Sequence, residues 1–390
     1  MHASPLLGTL LLLLTGVALA RLSAGGLARW AVPAILVELL VGFLLGNSVL
    51  PFEGVAPLGG ITELGVLSLF FQVGLEVRGD LLIAQRRPLL RLVAISALAP
   101  LLFFWPLQQL YGLSMPTTLL CLAVLCATGT GVTLRVLSQR QALKTPSGRL
   151  LVGVSVLDDL PAILLLALST ALGARGQGPG LGGFGPPLGL LLGLASLVAV
   201  DWWRRHRPER PSSPLAILLL LIASAWCGEV MGLTSLFGAF WGGLLLARLS
   251  PLEQDVRAVL VLLSEVFLPL YFISVGMRVE ATTLLTPGAW GMAAVLVAMA
   301  LVSKLACGLG VTARDTAAGV DRRLVIYGLI PRGLPGLVFA TTALKAGVVN
   351  ESQFSSLVLM VSFTTVVGLL LLERRLQRLS RLPAQAAEAG

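Results

Sequence analysis

Charge is what this chain has least of. Asp, Glu, Lys and Arg make up 12% of its 390 residues, while 56% are hydrophobic, and the mean hydropathy is +0.92. A soluble domain of this size carries about twice that charged fraction to cover its surface. Histidine is nearly absent. His2 and His206 fall at the start of the chain and in a loop, so neither is placed to titrate inside an apolar layer. The four cysteines (Cys121, Cys126, Cys227 and Cys307) lie inside apolar runs and form no CxxC pair. That excludes a disulfide framework and the usual thiolate metal site. The alternation of apolar and polar residues that marks a membrane barrel is also missing. The net charge of +9 does not point to nucleic acid, because the basic residues sit in short gaps between apolar runs.

Those runs are what the sequence does have. Thirteen apolar segments are read, at about 5–20, 31–50, 62–77, 88–111, 116–137, 150–172, 185–202, 214–230, 232–249, 258–276, 288–312, 322–345 and 353–373. Most are about 20 residues long, enough to cross an apolar layer about 30 Å thick as a helix. Backbone polar groups in lipid must pair within the segment, so the runs are expected to be helical. The fold class is therefore an all-α polytopic membrane protein of about 13 transmembrane helices. No nucleic-acid partner and no cofactor is expected. The first run ends in Ala18-Leu19-Ala20, which resembles a signal-peptidase site, but no Lys or Arg precedes it. It is expected to be a retained first helix. The 17 residues after the last run are read as a short tail with no appended soluble domain.

Basic residues divide unevenly between the two sets of loops. Twenty-three lie on one side, among them Arg86, Arg87, Arg204, Arg205, Arg374 and Arg375. Arg175, Arg278 and Lys345 lie on the other, and Lys304 and Arg332 fall within runs. The positive-inside rule puts the basic side in the cytoplasm of an inner membrane, with the N-terminus outside and the C-terminus inside.

Two runs are interrupted. One holds Ala127-Thr128-Gly129-Thr130-Gly131, the other Gly328-Leu329-Ile330-Pro331-Arg332-Gly333-Leu334-Pro335-Gly336. Glycine weakens a helix and proline removes a donor. Such breaks survive at membrane depth only where protein or a water-filled cavity satisfies the freed groups. Each break lies in the middle helix of a three-segment unit, and the two units run in opposite directions. This is the pattern of inverted repeats whose broken helices cross at a substrate site.

Charge inside the runs marks candidate site residues. Asp158 and Asp159 lie mid-segment, where an ionised carboxylate costs several kcal/mol, about 3 or more. Helical neighbours point about 100° apart, so the two acids have separate roles. Counted from the basic side, Asp158 and Lys304 both lie about 12 Å deep. They are expected to pair, which leaves Asp159 to face water. Arg332 is expected to neutralise carbonyl ends at its break, the alternative being a pair with an acid. Glu38, Glu265 and Gln72 lie nearer the ends of spans and rank lower.

Several stretches together resemble the monovalent cation:proton antiporters of the Kef and NapA type. They are Val156-Leu157-Asp158-Asp159, the break Ala127-Thr128-Gly129-Thr130-Gly131, Gly74-Leu75-Glu76, Phe267-Leu268-Pro269-Leu270-Tyr271-Phe272, and Ile330-Pro331-Arg332-Gly333. Lys304 falls where electrogenic members carry an intramembrane lysine. The resemblance covers nearly the whole chain. It implies a homodimer in which a core domain moves against a dimerisation domain. It also implies that Asp159 holds cation (sodium or potassium) and proton in turn near Thr128, and that Asp158 pairs with Lys304. Leu334 stands where the family usually has Glu, Gly129 where it has Ser, and Pro161 follows the acid pair closely.

These readings divide the chain into scaffold helices at 1–77 and 214–276, core halves at 88–172 and 288–373, a linker helix at 185–202, and the tail 374–390. The function expected is electrogenic exchange of a monovalent cation for protons by alternating access, without enzymatic chemistry. The alternative is an organic-anion transporter or channel on the same scaffold, but an anion site calls for helix N-termini and cations. An intramembrane aspartyl protease needs acids from two helices sharing one water, which adjacent aspartates cannot provide. The orientation is tested by thiol labelling of intact cells. Cysteines introduced in loop 278–287 should react with an impermeant reagent, and those in loop 201–213 should not. The reverse pattern contradicts the topology.

Overall fold

Among the residues that a computed structural model of the chain describes, fourteen helices of eight residues or more are formed. Those residues are 5–27, 34–76, 86–129, 145–173, 213–231, 234–249, 254–279, 281–284 and 287–388, with scattered positions in 133–143 and 189–200. Among the described residues there is no strand. The helices are α1 (Pro5–Leu27), α2 (Ala34–Ser48), α3 (Gly59–Glu76), α4 (Arg86–Leu101), α5 (Phe104–Tyr111), α6 (Met115–Cys126) and α7 (Pro146–Gly173). They continue as α8 (Pro214–Val230), α9 (Ser235–Leu249), α10 (Gln254–Met277), α11 (Pro287–Ala306), α12 (Arg322–Leu329), α13 (Gly333–Lys345) and α14 (Glu351–Glu388). Among the described residues five stretches are long and apolar enough to cross a membrane, and six shorter apolar helices accompany them. The expected segment at 185–202 lies largely outside the described residues, as does the loop after it.

Two expectations are corrected. The run 88–111 is not one helix. It turns at Leu102 and Phe103, whose N–H groups reach back three residues, to Ala99 and Pro100. The reason is Pro106, which has no N–H to donate to Leu102 and whose ring crowds that carbonyl. The tail after residue 373 is not separate from the last span, because α14 continues helical to Glu388.

Packing sorts the helices into two bundles. α1, α2, α3, α8, α9 and α10 pack on one another, as do α4 to α7 with α11 to α14, and α7 against α9 is the principal helix contact between them. In the first bundle Gly42 and Gly276 bring α2 and α10 to backbone contact, where an added Cβ would meet Ile273 O and Leu39 O at 2.2 Å. Small residues at helix contacts are how membrane helices gain dispersion energy without a hydrophobic drive.

The arginine-rich end of the second bundle is tied by ion pairs. Arg91 of α4 meets Asp315 at 2.6 Å, and Arg140 meets Glu373 of α14 at 2.5 Å, each joining the first three-helix unit to the second. Arg375 meets Asp321 at 2.5 Å. Asp321 also caps α12 by accepting from Leu324 N–H at 2.7 Å. Burial, the largest single influence on this carboxyl, opposes its ionisation. The Arg375 and Leu324 hydrogen bonds and the guanidinium charge outweigh it and hold Asp321 below its ordinary 3.8. A depressed folded-state value means stability that is present above the ordinary value and is lost as pH falls through the folded one. Asn can still cap a helix but cannot pair with a guanidinium. Asp321→Asn should therefore lower the thermal midpoint of detergent-solubilised protein at neutral pH. The gap from wild type should close below about pH 4. Scanning fluorimetry across that range checks it.

Candidate ion site at the helix crossing

Both broken helices end where their neighbours need them to end. α6 stops at Cys126, and Ala127 turns extended (φ −52°, ψ 145°). α12 stops at Leu329, and α13 restarts at Gly333, whose φ of +49° is left-handed and open to glycine at little cost. The two breaks touch. Gly129 N–H donates to Pro331 O at 2.5 Å, and a Cβ on residue 129 would lie 2.9 Å from Gly333 N. That closeness is a reason for Gly129 in place of Ser. Gly333 N–H donates to Thr365 Oγ1 at 3.0 Å, which ties the crossing to α14. Thr130 and Gly131, named with this break above, lie outside the described residues, as does the side chain of Leu334.

Lys304, in the last turn of α11, is fully buried. Its Nζ donates to Asp158 Oδ2 at 2.8 Å, to Cys126 O at 3.0 Å and to Thr128 Oγ1 at 3.1 Å, and it also contacts Ser96 Oγ. Asp158 Oδ2 accepts in addition from Thr128 Oγ1 at 2.6 Å and Ser96 Oγ at 2.7 Å. One carboxylate oxygen thus gathers an ammonium and two hydroxyls from α11, the first break and α4. Its partner Oδ1 accepts no hydrogen bond among the described residues.

Arg332 fills the other side of the break. Its guanidinium donates to Ala127 O at 2.8 Å and Ala300 O at 3.0 Å, meets Ser303 Oγ at 3.3 Å, and also reaches Leu125 O. The C-terminal end of α6, the negative pole of a helix dipole, therefore receives two cations. The four ionisable side chains here are all closed off. Asp158, Lys304 and Arg332 are 0% exposed and Asp159 is 1%. Fully ionised, two acids and two bases sum to zero charge, a condition for burying them together.

Asp159 departs from the expectation that it faces water. The helices packed around α7 close over both acid positions in this conformation. Pro161 sits inside α7 and leaves the Leu157 carbonyl without its helical donor one turn before it. Glu38 is buried in α2, whereas Glu265 is exposed and Gln72 donates to Leu260 O at 3.1 Å, all away from the crossing. Sequence reasoning missed Ser96 and Ser303. Each is a lone hydroxyl in an apolar helix, facing a charge across the bundle.

Removing one partner of a buried pair leaves the other uncompensated, at about 3–5 kcal/mol in soluble proteins. Lys304→Ala should lower the unfolding temperature in detergent, and adding Asp158→Asn should recover part of the loss. Purely additive losses would contradict the contact.

Comparison with known proteins follows the same lines. The family model for the transmembrane domain of sodium/hydrogen exchangers matches residues 10–374. The chain is 26% identical over 356 residues to the Na(+)/H(+)-K(+) antiporter GerN of Bacillus cereus, covering 88% of this chain and 90% of that one. It is 25% identical over 362 residues to a Na(+)/H(+) antiporter of Enterococcus hirae, covering 88% and 92%. In fold it matches the structure of the sodium proton antiporter MjNhaP1 from Methanocaldococcus jannaschii, with a TM-score of 0.64 at 19% identity, covering 94% and 96%.

Proposed function

Since the chain belongs to the transmembrane sodium/hydrogen exchanger family, we propose that it exchanges sodium or potassium for protons through the buried acid pair at its helix crossing. The organic-anion alternative is not favoured. The observation that carries the reading is the closed quartet of two acids and two bases, Asp158, Asp159, Lys304 and Arg332, at the contact between the two breaks. Two of the relatives are named for sodium/proton exchange, and one of them also for potassium.

The chemistry follows from the charges. Asp159 holds either a proton or a cation, since one carboxylate in a dry site can neutralise only one positive partner at a time. Thr128, two residues beyond the end of α6, supplies a hydroxyl and Asp158 Oδ1 a second anionic oxygen. Arg332 stays fixed and keeps the carbonyl end of α6 neutralised while the ion changes. Lys304 is the mobile charge. A cation entering beside the acids repels its ammonium, and Asp158 releases or keeps it accordingly. Exchange of one cation against more than one proton is then electrogenic.

In this reading the second bundle is the moving core and the first the scaffold, which dimerises. The arginine-rich face lies in the cytoplasm of an inner membrane, with the N-terminus outside.

Protons and cations competing for one site leave a kinetic signature. The cation concentration for half-maximal exchange should fall as pH rises from about 6 to about 9, because more sites are deprotonated. The maximal rate should drop at the alkaline end, where protons for the return step run short. Asp159→Asn should abolish exchange while the protein still folds. Proton flux in proteoliposomes measures all three. A half-saturating concentration independent of pH would contradict a shared site.

A further inference from the structure

Away from the acid pair, the face opposite the arginine-rich one holds two adjoining cavities of about 250 and 330 Å³. Both lie between the bundles. Glu63 of α3 and Tyr271 of α10 line them from one bundle, Thr341 and Lys345 of α13 from the other. Glu63 and Lys345 join in an ion pair across the gap. About one turn deeper the larger residues close in, with Val66, Leu67 and Val338 on the cavity wall. Just below them Phe70 and Phe339 meet with ring centroids 6.0 Å apart, both at most 1% exposed. Phe339 lies seven residues from Arg332 along α13, about 10 Å at helical rise. On α7, Thr170 reaches the cavity eleven residues from Asp159, about 16 Å along the same helix. The aromatic contact therefore stands between the cavity and the buried quartet.

We propose that Phe70 and Phe339 form the barrier of the ion path on this face and that Glu63–Lys345 is a charge clasp above it, both opening when the bundles shift. The inference rests on the exchange reading and names the gate of that site. Each pair takes one member from each bundle, so neither survives a relative movement unchanged. The rings exclude water from the step that ions must pass. The clasp is 41% exposed on both sides, and ion pairs that wet contribute little stability, which suits a contact that breaks in every cycle. Opening also frees both members of the clasp, which with Glu229 and Arg278 leaves two carboxylates and two cations on the cavity walls.

The test is a reversible staple. Glu63→Cys and Lys345→Cys are combined with Cys227→Ser, which removes the exposed native thiol. The protein is reconstituted in liposomes, and sodium- or potassium-driven proton flux is read before and after a short bifunctional thiol reagent. Before cross-linking, flux should stay within about fivefold of wild type, as for loss of an exposed pair. Cross-linking should cut it by at least about tenfold, and reduction of a cleavable linker should restore it. A second variant, Phe339→Ala, should raise passive proton leak through the same liposomes several-fold. Unchanged flux after cross-linking overturns the gate. So does failure of the cysteines to link, and so does loss of flux before linking, which would make the pair part of the ion site. Wild-type protein that exchanges no monovalent cation would instead overturn the functional reading, leaving the two failures distinguishable.

Discussion

Everything near the centre of this protein is arranged around one ammonium group. Lys304 enters the apolar interior with three hydrogens, and the chain must meet them with Asp158, Cys126 O, Thr128 and Ser96 or leave a bare charge in hydrocarbon. To do so α6 has to stop, because an unbroken helix would keep Cys126 O for itself. Stopping α6 exposes further carbonyls, and Arg332 takes Ala127 O and Leu125 O. Arg332 arrives only because the second helix is broken at the same level. Lysine, acid, arginine and two breaks are thus one solution to one electrostatic problem, each necessary once the others are present.

Two acids and two bases in so dry a place make this assembly a sensitive one. Adding or removing one positive charge there leaves a partner uncompensated. A soluble protein would avoid such a site or bury it permanently. A transporter gains from it, since the arriving ion shifts the balance between conformations by its charge alone.

Much of this was legible in the residues, for physical reasons that differ. The helical class followed from lipid, which accepts no unpaired backbone. The two breaks were visible because Gly129, Gly131, Pro331 and Gly333 cannot be routine inside spans. Asp158 and Lys304 stood out by their cost, and counting helical rise placed them at one depth. Ser96 and Ser303 were not visible, because a serine in an apolar helix can bond its own preceding turn and carries no penalty that flags it. The turn at Leu102 was foreshadowed by Pro106, but hydropathy averages across a kink. Closure of the neighbouring helices over Asp159 was not legible at all, since it depends on how helices far apart in sequence pack together.

The last helix has a bearing on how such a molecule could be watched. α14 contributes Thr365 to the crossing, takes Glu373 and Arg375 into the ion pairs of the arginine-rich end, and stays helical to Glu388, past Pro383. Thirty-eight residues at helical rise measure about 57 Å, nearly twice the apolar thickness of a bilayer. It is therefore a pointer mounted on the bundle that holds the helix crossing. A few degrees of tilt at the crossing become a displacement of several ångströms at its tip. A fluorophore or spin label placed there would report any tilt of that bundle without touching the residues at the crossing.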